Sequence, residues 1–289
     1  VVLERRELIH SLYAAGALFA CLIIVAFPLF ARALEKTDDI DTNRPSFTDS
    51  PLVVPKFSLQ LENGTQYQHL QHGGNYWDAS ETEVRFGLTD KTEFQMFVPN
   101  FALLRTAGPA AIASPGRSTS VSTSSLSETL NAGVSDLAEI GLKRQLKPIL
   151  KDMNIALIAG VSPPTGSRFL SGTGTQGVFR MPWTKPLNAH WTICGMPSFV
   201  LLNQARNSQY QQTAMLCRSI GTRTTLFTEY AGFYTRKEFP VNFIHFGVVR
   251  KLDRTKQLDI HFGIGLNKNA PAAFVGVGYS FRFDHFPKL

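Results

Sequence analysis

Eleven titratable residues fall at alternate positions along segments whose other positions are largely apolar: Glu62, Glu83, Arg85, Glu93, Glu139, Lys143, Glu229, His245, Asp259, His261 and Arg282. In a strand, alternate side chains share a face, so these groups gather on one side of a sheet. A charge taken out of water is costly unless it is paired or wetted. Two chemistries follow. The groups can pair as salt bridges that lock a closed interior, or they can line a wet lumen and select solutes, as charged rings do in pores. If the first and last strands meet, Glu62 and Arg282 lie on neighbouring strands with Glu83 and Arg85 one strand further, and pairing is expected among these four. His245, His261 and Asp259 also share neighbouring strands. A metal site needs three or four ligands in tight geometry, and these three, scattered over a hairpin, read as hydrogen-bonded groups, with no metal expected.

Other motifs carry less chemistry. Gly172-Thr173-Gly174-Thr175-Gln176-Gly177 matches G-x-G-x-x-G, but a dinucleotide site needs a helix after it, and Val178-Phe179-Arg180-Met181-Pro182 alternates and then breaks. No cofactor is expected. A Ser–His pair such as Ser280 with His261 would suit a barrel hydrolase, yet there is no Gly-x-Ser-x-Gly elbow, so the chain does not read as an enzyme. Cys194 and Cys217 fall on adjacent strands, either as a cross-strand disulfide in an oxidising compartment or as two free thiols facing lipid. Asn63-Gly64-Thr65 fits a glycosylation sequon by chance.

The elements that must position the eleven residues emerge from composition and pattern. The chain has 289 residues, 44% of them apolar and 18% charged. That excludes a disordered charged chain and a coiled coil. Mean hydropathy is −0.04, and only one apolar run approaches the length of a membrane helix, so a polytopic helical protein is excluded too. The net charge of +7 is spread without a basic stripe, and no nucleic acid is expected as a partner. Arg5 and Arg6, the apolar run 8–30 and Ala31-Arg32-Ala33 form a secretory signal over 1–33. The competing readings are a retained helical anchor and, at Leu18-Phe19-Ala20-Cys21, a lipid-modified cysteine.

Beyond the signal, twelve segments alternate apolar and polar: 56–68, 81–88, 92–104, 134–145, 153–161, 177–185, 191–202, 211–220, 225–233, 242–251, 257–266 and 272–283. Short connections alternate with mostly longer ones, the pattern of a bacterial outer-membrane barrel. In 258–266 every second residue is large and apolar, with Asp259, His261, Gly263 and Gly265 between. Lipid rewards the apolar face, and backbone groups without water must close their hydrogen bonds, so the sheet must become a barrel. A soluble sandwich would alternate alike; the signal, the loop asymmetry and the aromatic strand ends favour the membrane. The expected fold is all-β: a transmembrane antiparallel up-and-down barrel of twelve strands over 56–283. A leader over 34–55 precedes it, carrying Pro45, Pro51 and Pro55, which argue against a regular strand. It lies either in the periplasm or tucked into the lumen. The Ser/Thr-rich stretch 113–129 reads as a loop, and 284–289 as a short periplasmic tail.

Several stretches resemble one family. They include Thr42-Asn43-Arg44-Pro45-Ser46-Phe47-Thr48-Asp49-Ser50-Pro51, Leu59-Gln60-Leu61-Glu62-Asn63-Gly64 and Phe86-Gly87-Leu88-Thr89-Asp90-Lys91-Thr92-Glu93. Asp136-Leu137, Gly141-Leu142-Lys143, Pro164-Thr165-Gly166-Ser167, Glu229-Tyr230 and His245-Phe246-Gly247 add to them, and Gly276-Val277-Gly278-Tyr279-Ser280-Phe281-Arg282-Phe283 closes the set. Together they resemble the meta-pathway phenol-degradation family of outer-membrane barrels, over roughly 38–283. The resemblance implies a Gram-negative outer-membrane barrel suspected of passing small, often aromatic, compounds, and it carries over no site residues. Outer-membrane barrels usually end on an aromatic that the assembly machinery reads; here six residues follow Phe283. The function expected is a channel for small organic solutes, aromatic or hydrophobic ones included. The alternatives are a closed structural or surface-interaction barrel and a barrel enzyme such as a lipid hydrolase. Expected partners are outer-membrane lipid and lipopolysaccharide, the barrel-assembly machinery and a small-molecule solute; the oligomeric state stays open.

Overall fold

The structure, a computed structural model, describes residues 39–71, 73–106, 110–114, 117–121, 129–136, 139–167, 171, 174–202 and 207–284. The export-signal segment 1–33 lies outside them, as do 285–289 of the expected tail.

Sixteen of the eighteen described strands build twelve crossings of a closed wall. The first crossing is β1 (Leu59–His69). The second is made of two pieces, β2 (Asn75–Ala79) and β3 (Glu83–Thr89), and the third of β4 (Thr92–Phe97) and β5 (Phe101–Thr106). A separate hairpin follows, β6 (Ala110–Ser114) with β7 (Arg117–Val121). The fourth crossing is β8 (Thr129–Val134) and β9 (Glu139–Gln145), the fifth β10 (Asn154–Ser162), the sixth β11 (Gln176–Arg180) and β12 (Trp183–Pro186). Six unbroken strands complete the wall: β13 (Trp191–Leu202), β14 (Asn207–Ile220), β15 (Thr224–Thr235), β16 (Val241–Lys251), β17 (Lys256–Gly265) and β18 (Ala273–Phe283). Each crossing is antiparallel to the one before it. β18 pairs with β1 from Leu59↔Phe283 to His69↔Ala273, which closes the wall on itself.

Alternation decides which residues face where. Along β17, Leu258, Ile260, Phe262 and Ile264 are exposed, while Gln257, Asp259 and His261 are buried. Along β18, Val275, Val277 and Tyr279 are exposed, and Phe274, Ser280 and Arg282 are buried. The exposed apolar face is the outer wall. Among the described residues no helix is long and apolar enough to cross a membrane; the strands are the crossing elements.

The third, fourth and sixth crossings are interrupted where unbroken strands were expected, and the second is broken between the strand expected at 81–88 and an added piece, β2, ahead of it. Pro99 and Pro182 fall in two of the gaps, and a proline cannot donate to the ladder. Ser80, with φ of 62°, falls in another. Three of the gaps lie side by side and are stitched together: Val98 N donates to Thr82 O (2.8 Å), Ser135 N to Asn100 O (2.8 Å) and Asn100 N to Ser135 Oγ (2.8 Å). Half of the connection expected at 69–80 is strand, because Gly73 and Gly74 adopt positive φ and let Leu70 N reach Gly74 O at 3.1 Å. Likewise part of the expected loop 113–129 belongs to the β6–β7 hairpin. The loop asymmetry is therefore weaker than the sequence pattern suggests. The turns of the opposite end are short; in one, Asp253 accepts hydrogen bonds from Thr255 N (2.7 Å) and Oγ1 (3.0 Å), which holds its carboxyl below the usual range.

An arginine facing lipid in mid-wall costs about 2–4 kcal/mol. Ile260→Arg, at a position 53% exposed on the outer face, should lower the unfolding free energy in lipid vesicles by about that amount. An unchanged denaturation curve would mean that this face does not meet the membrane.

Candidate functional site: a leader held inside the barrel

All eleven residues singled out by alternation are buried on the inner face. What they meet there is the leader. Ile40 N donates to Arg254 O (2.7 Å) beside a short turn, and the chain then passes inward. Asn43, Arg44, Ser46, Phe47, Thr48 and Asp49 are all buried. The leader returns to the wall where Phe57 N donates to Gly87 O at 2.8 Å.

Three wall carboxylates hold its backbone. Glu62 Oε2 accepts from Asn43 N and Arg44 N, both at 2.9 Å. Glu229 accepts from Phe47 N (2.9 Å) and Thr48 N (2.8 Å), and also from Thr48 Oγ1 at 2.6 Å. Glu93 Oε2 accepts from Val54 N at 2.6 Å. An irregular segment inside a barrel has no sheet partners for its amides, and hydrogen bonds to a charged acceptor are the strong kind.

The same carboxylates are braced by cations. Arg85 donates to Glu62 (2.8 Å) and is bidentate to Glu93 (2.9 and 3.1 Å), whose Oε1 also lies 3.1 Å from Lys143 Nζ. Arg85 also binds leader carbonyls, Asp41 O and Leu52 O, each at 3.0 Å. Glu83 accepts from Asn43 Nδ2 (2.9 Å) and Gln95 Nε2 (3.1 Å). Glu139 pairs with Arg180, which reaches Asp49 of the leader at 3.3 Å. Removing one member of such a buried pair costs about 3–5 kcal/mol, because the other charge is stranded.

Pairing among Glu62, Glu83, Arg85 and Arg282 holds for Arg85 with Glu62 and fails for Arg282 with Glu62. In the closing register Arg282 stands opposite Gln60, while Glu62 stands opposite Ser280. Arg282 turns instead to Asp284, just past the strand end, at 2.6 Å. His245 and His261 do come together. Glu229 Oε2 lies 2.9 Å from His245 Nδ1, and His245 Nε2 lies 3.0 Å from His261 Nδ1, a carboxylate–imidazole–imidazole row. Asp259 sits apart, 3.6 Å from Arg44 Nη2, whose Nη1 reaches Glu81 at 2.6 Å. The described residues contain no group of three or more His, Cys, Asp or Glu arranged to hold a metal ion.

Alternation did not reveal Arg44, Asp49, Glu81 and Arg180. The first two lie in a segment without periodicity, and the others flank strand breaks. One signal was present: Gly64 stands opposite Gly278, and a Cβ at Gly64 would lie 2.1 Å from the Arg44 guanidinium carbon. Paired glycines mark the place where Arg44 packs against bare backbone. Cys194 and Cys217 are free. Cys194 stands opposite Met215 and Cys217 opposite Thr192, so they are diagonal neighbours, and Cys194 is buried on the inner face rather than turned to lipid.

At the far end of the leader's path, Phe47 enters a cage of Phe233, Phe243 and Phe274 with Ala231 and Ala270. Its ring stacks on Phe243 at 5.8 Å and meets Phe233 (5.8 Å), Phe274 (6.0 Å) and His245 (5.2 Å) edge to face. Glu229 thus holds the Phe47 amide directly and, through His245, one wall of the cage around its ring.

A closed antiparallel wall with an apolar outside and a charged inside defines an outer-membrane β-barrel of the bacterial kind. Residues 42–283 match the family described as "Putative MetA-pathway of phenol degradation", and the chain belongs to that family. The COG4313 outer membrane channel from Pseudomonas putida F1 is similar in fold, with a TM-score of 0.56 at 13% identity, over 80% of this chain and 97% of that one. The KdgM and NanC porins each give a TM-score of 0.48, at 8% and 9% identity, over 77% of this chain and 99% and 98% of theirs. No curated protein sequence matches the chain.

Glu229→Ala removes one acceptor from three leader donors. A cysteine placed at Thr48, in a background lacking Cys194 and Cys217, should resist a water-soluble thiol reagent and should react once Glu229→Ala is added. Equal protection in both proteins would show that Glu229 does not hold the leader.

Proposed function

We propose that the protein is an outer-membrane channel for small organic solutes, aromatic ones included, whose closed state is set by the leader. The observation that carries this reading is the cage around Phe47. The ring that fills it belongs to a segment tied to the wall by hydrogen bonds, not to the wall itself. A cage that fits one phenyl ring between three others and an imidazole also fits a free aromatic of that size. Competition for the cage couples solute arrival to release of the leader: a solute that binds only when Phe47 is out draws the equilibrium towards the open state. The family description and the channel fold support the same reading.

A second reading has an observation in its favour. The lumen charges are buried and paired with the leader or with one another, as a permanently closed structural barrel would require. The reading as a channel rather than an enzyme rests on the use of the inner polar groups in holding the leader.

Phe47→Ala distinguishes the two. Emptying the cage should loosen leader docking by about 3 kcal/mol, near the lower end for a buried Phe→Ala change, while the wall stays intact. In a planar bilayer the variant should open far more often than the parent, and added phenol should shorten the openings. A variant that keeps the heat-dependent gel migration of a folded barrel yet stays as silent as the parent would favour the closed barrel.

A further inference from the structure

The charge left over by the lumen gathers at one rim. Four successive crossings that run towards the short-turn end, the fourth, sixth, eighth and tenth, each carry a basic residue at an outward position near that end: Arg144 on β9, Lys185 on β12, Arg218 on β14 and Arg250 on β16. Their neighbours repeat. Arg144 stands between Thr92 and exposed Leu157, Arg218 between Trp191 and exposed Leu226, and Arg250 between Thr224 and exposed Leu258. Lys185 stands opposite exposed Ile193.

Their contacts are with neutral groups. Arg144 and Arg250 donate to the hydroxyls of Thr92 and Thr224, each at 2.5 Å, and the Arg218 guanidinium lies 5.4 Å from the Trp191 ring. Among the described residues none of the four makes an ion pair. The acids of this rim lie in the turns beyond, where Asp253 pairs with Lys256 at 3.4 Å, and in the leader, where Asp39 lies 3.7 Å from Lys251 and 3.9 Å from Arg254. Crossings two apart are separated by about 10 Å, a spacing on the scale of lipid headgroups. At the opposite end, outward positions carry the stacked pair Tyr210 and Tyr234 together with an exposed arginine, Arg105 on β5.

We propose that Arg144, Lys185, Arg218 and Arg250 form a belt that binds anionic phospholipid headgroups of the periplasmic leaflet. Each aliphatic stem lies along the apolar wall with its cation at the headgroup level, and the leucines beside it receive acyl chain. Short turns mark the periplasmic end of an outer-membrane barrel, which places the belt against phospholipid. A basic residue near an anionic surface favours it about fivefold.

The test uses the full-length barrel in phosphatidylcholine vesicles with trace spin-labelled phosphatidylglycerol or phosphatidylcholine, reading the motionally restricted fraction of each. The wild type should hold phosphatidylglycerol about three- to fivefold more strongly, with the preference falling as salt shortens the reach of the charges. R144Q/K185Q/R218Q/R250Q should bring the ratio close to one, and the charge-keeping R144K/R218K/R250K should retain it. Equal association of both lipids with the wild type, a preference that salt leaves unchanged, or one that survives in the neutral variant would overturn the proposal.

Discussion

A carboxylate on the inner wall of a barrel needs donors, and a chain segment that enters the barrel without sheet partners needs acceptors. Glu62, Glu93 and Glu229 meet both needs through the amides of Asn43, Arg44, Phe47, Thr48 and Val54. Without the leader, Glu62 and Glu93 would keep wall partners such as Arg85, Lys143, Gln60 and Gln95, and Glu229 would keep His245, while the oxygens that now hold the leader would lose those donors. Without the carboxylates, the leader would carry unmet amides into a closed space, at a cost that burial of Phe47 alone would not offset. Wall and leader therefore specify each other.

The outer surface answers to a different solvent. Lipid offers no hydrogen bonds, so the wall is closed by β18 pairing back onto β1, and the strands of the last six crossings each pair on both sides. The interruptions in four crossings are tolerated because side chains and offset backbone bonds take over, as Ser135 Oγ does for Asn100 N. Closure also puts charge where it can be used. Acids turn inward to the leader, and basic residues without ion-pair partners stay outward at one rim.

Much of this was legible in the sequence because a strand repeats every two residues. Leu258, Ile260, Phe262 and Ile264 announce an outer face, and the same count places Asp259 and His261 within; even Glu229 obeys it. Where the period is lost, so is the inference. Arg44 and Asp49 lie in a proline-rich stretch with no face to assign, and Arg180 sits on a short strand cut off by Pro182. Gly73 and Gly74 read as loop because positive φ, which makes a tight turn there, is invisible to a polar–apolar pattern. Arg282 was placed on the correct face with the wrong partner. Facing is a matter of parity, whereas pairing depends on register, and a shift of two residues put Gln60 opposite it in place of Glu62.

If the leader is the moving part that closes the lumen, a tether between leader and wall must keep the barrel silent. Thr48 Oγ1 and Thr213 Oγ1 lie 2.6 Å apart, one on the leader and one on the wall. Cysteines at these two positions, with Cys194 and Cys217 replaced, can form a bond that ties the leader down. Conductance of one membrane-inserted barrel, recorded before and after a reductant is added, reads the claim directly. The oxidised protein should be silent and should begin to open on reduction. Equal conductance in the two states, zero included, would contradict it.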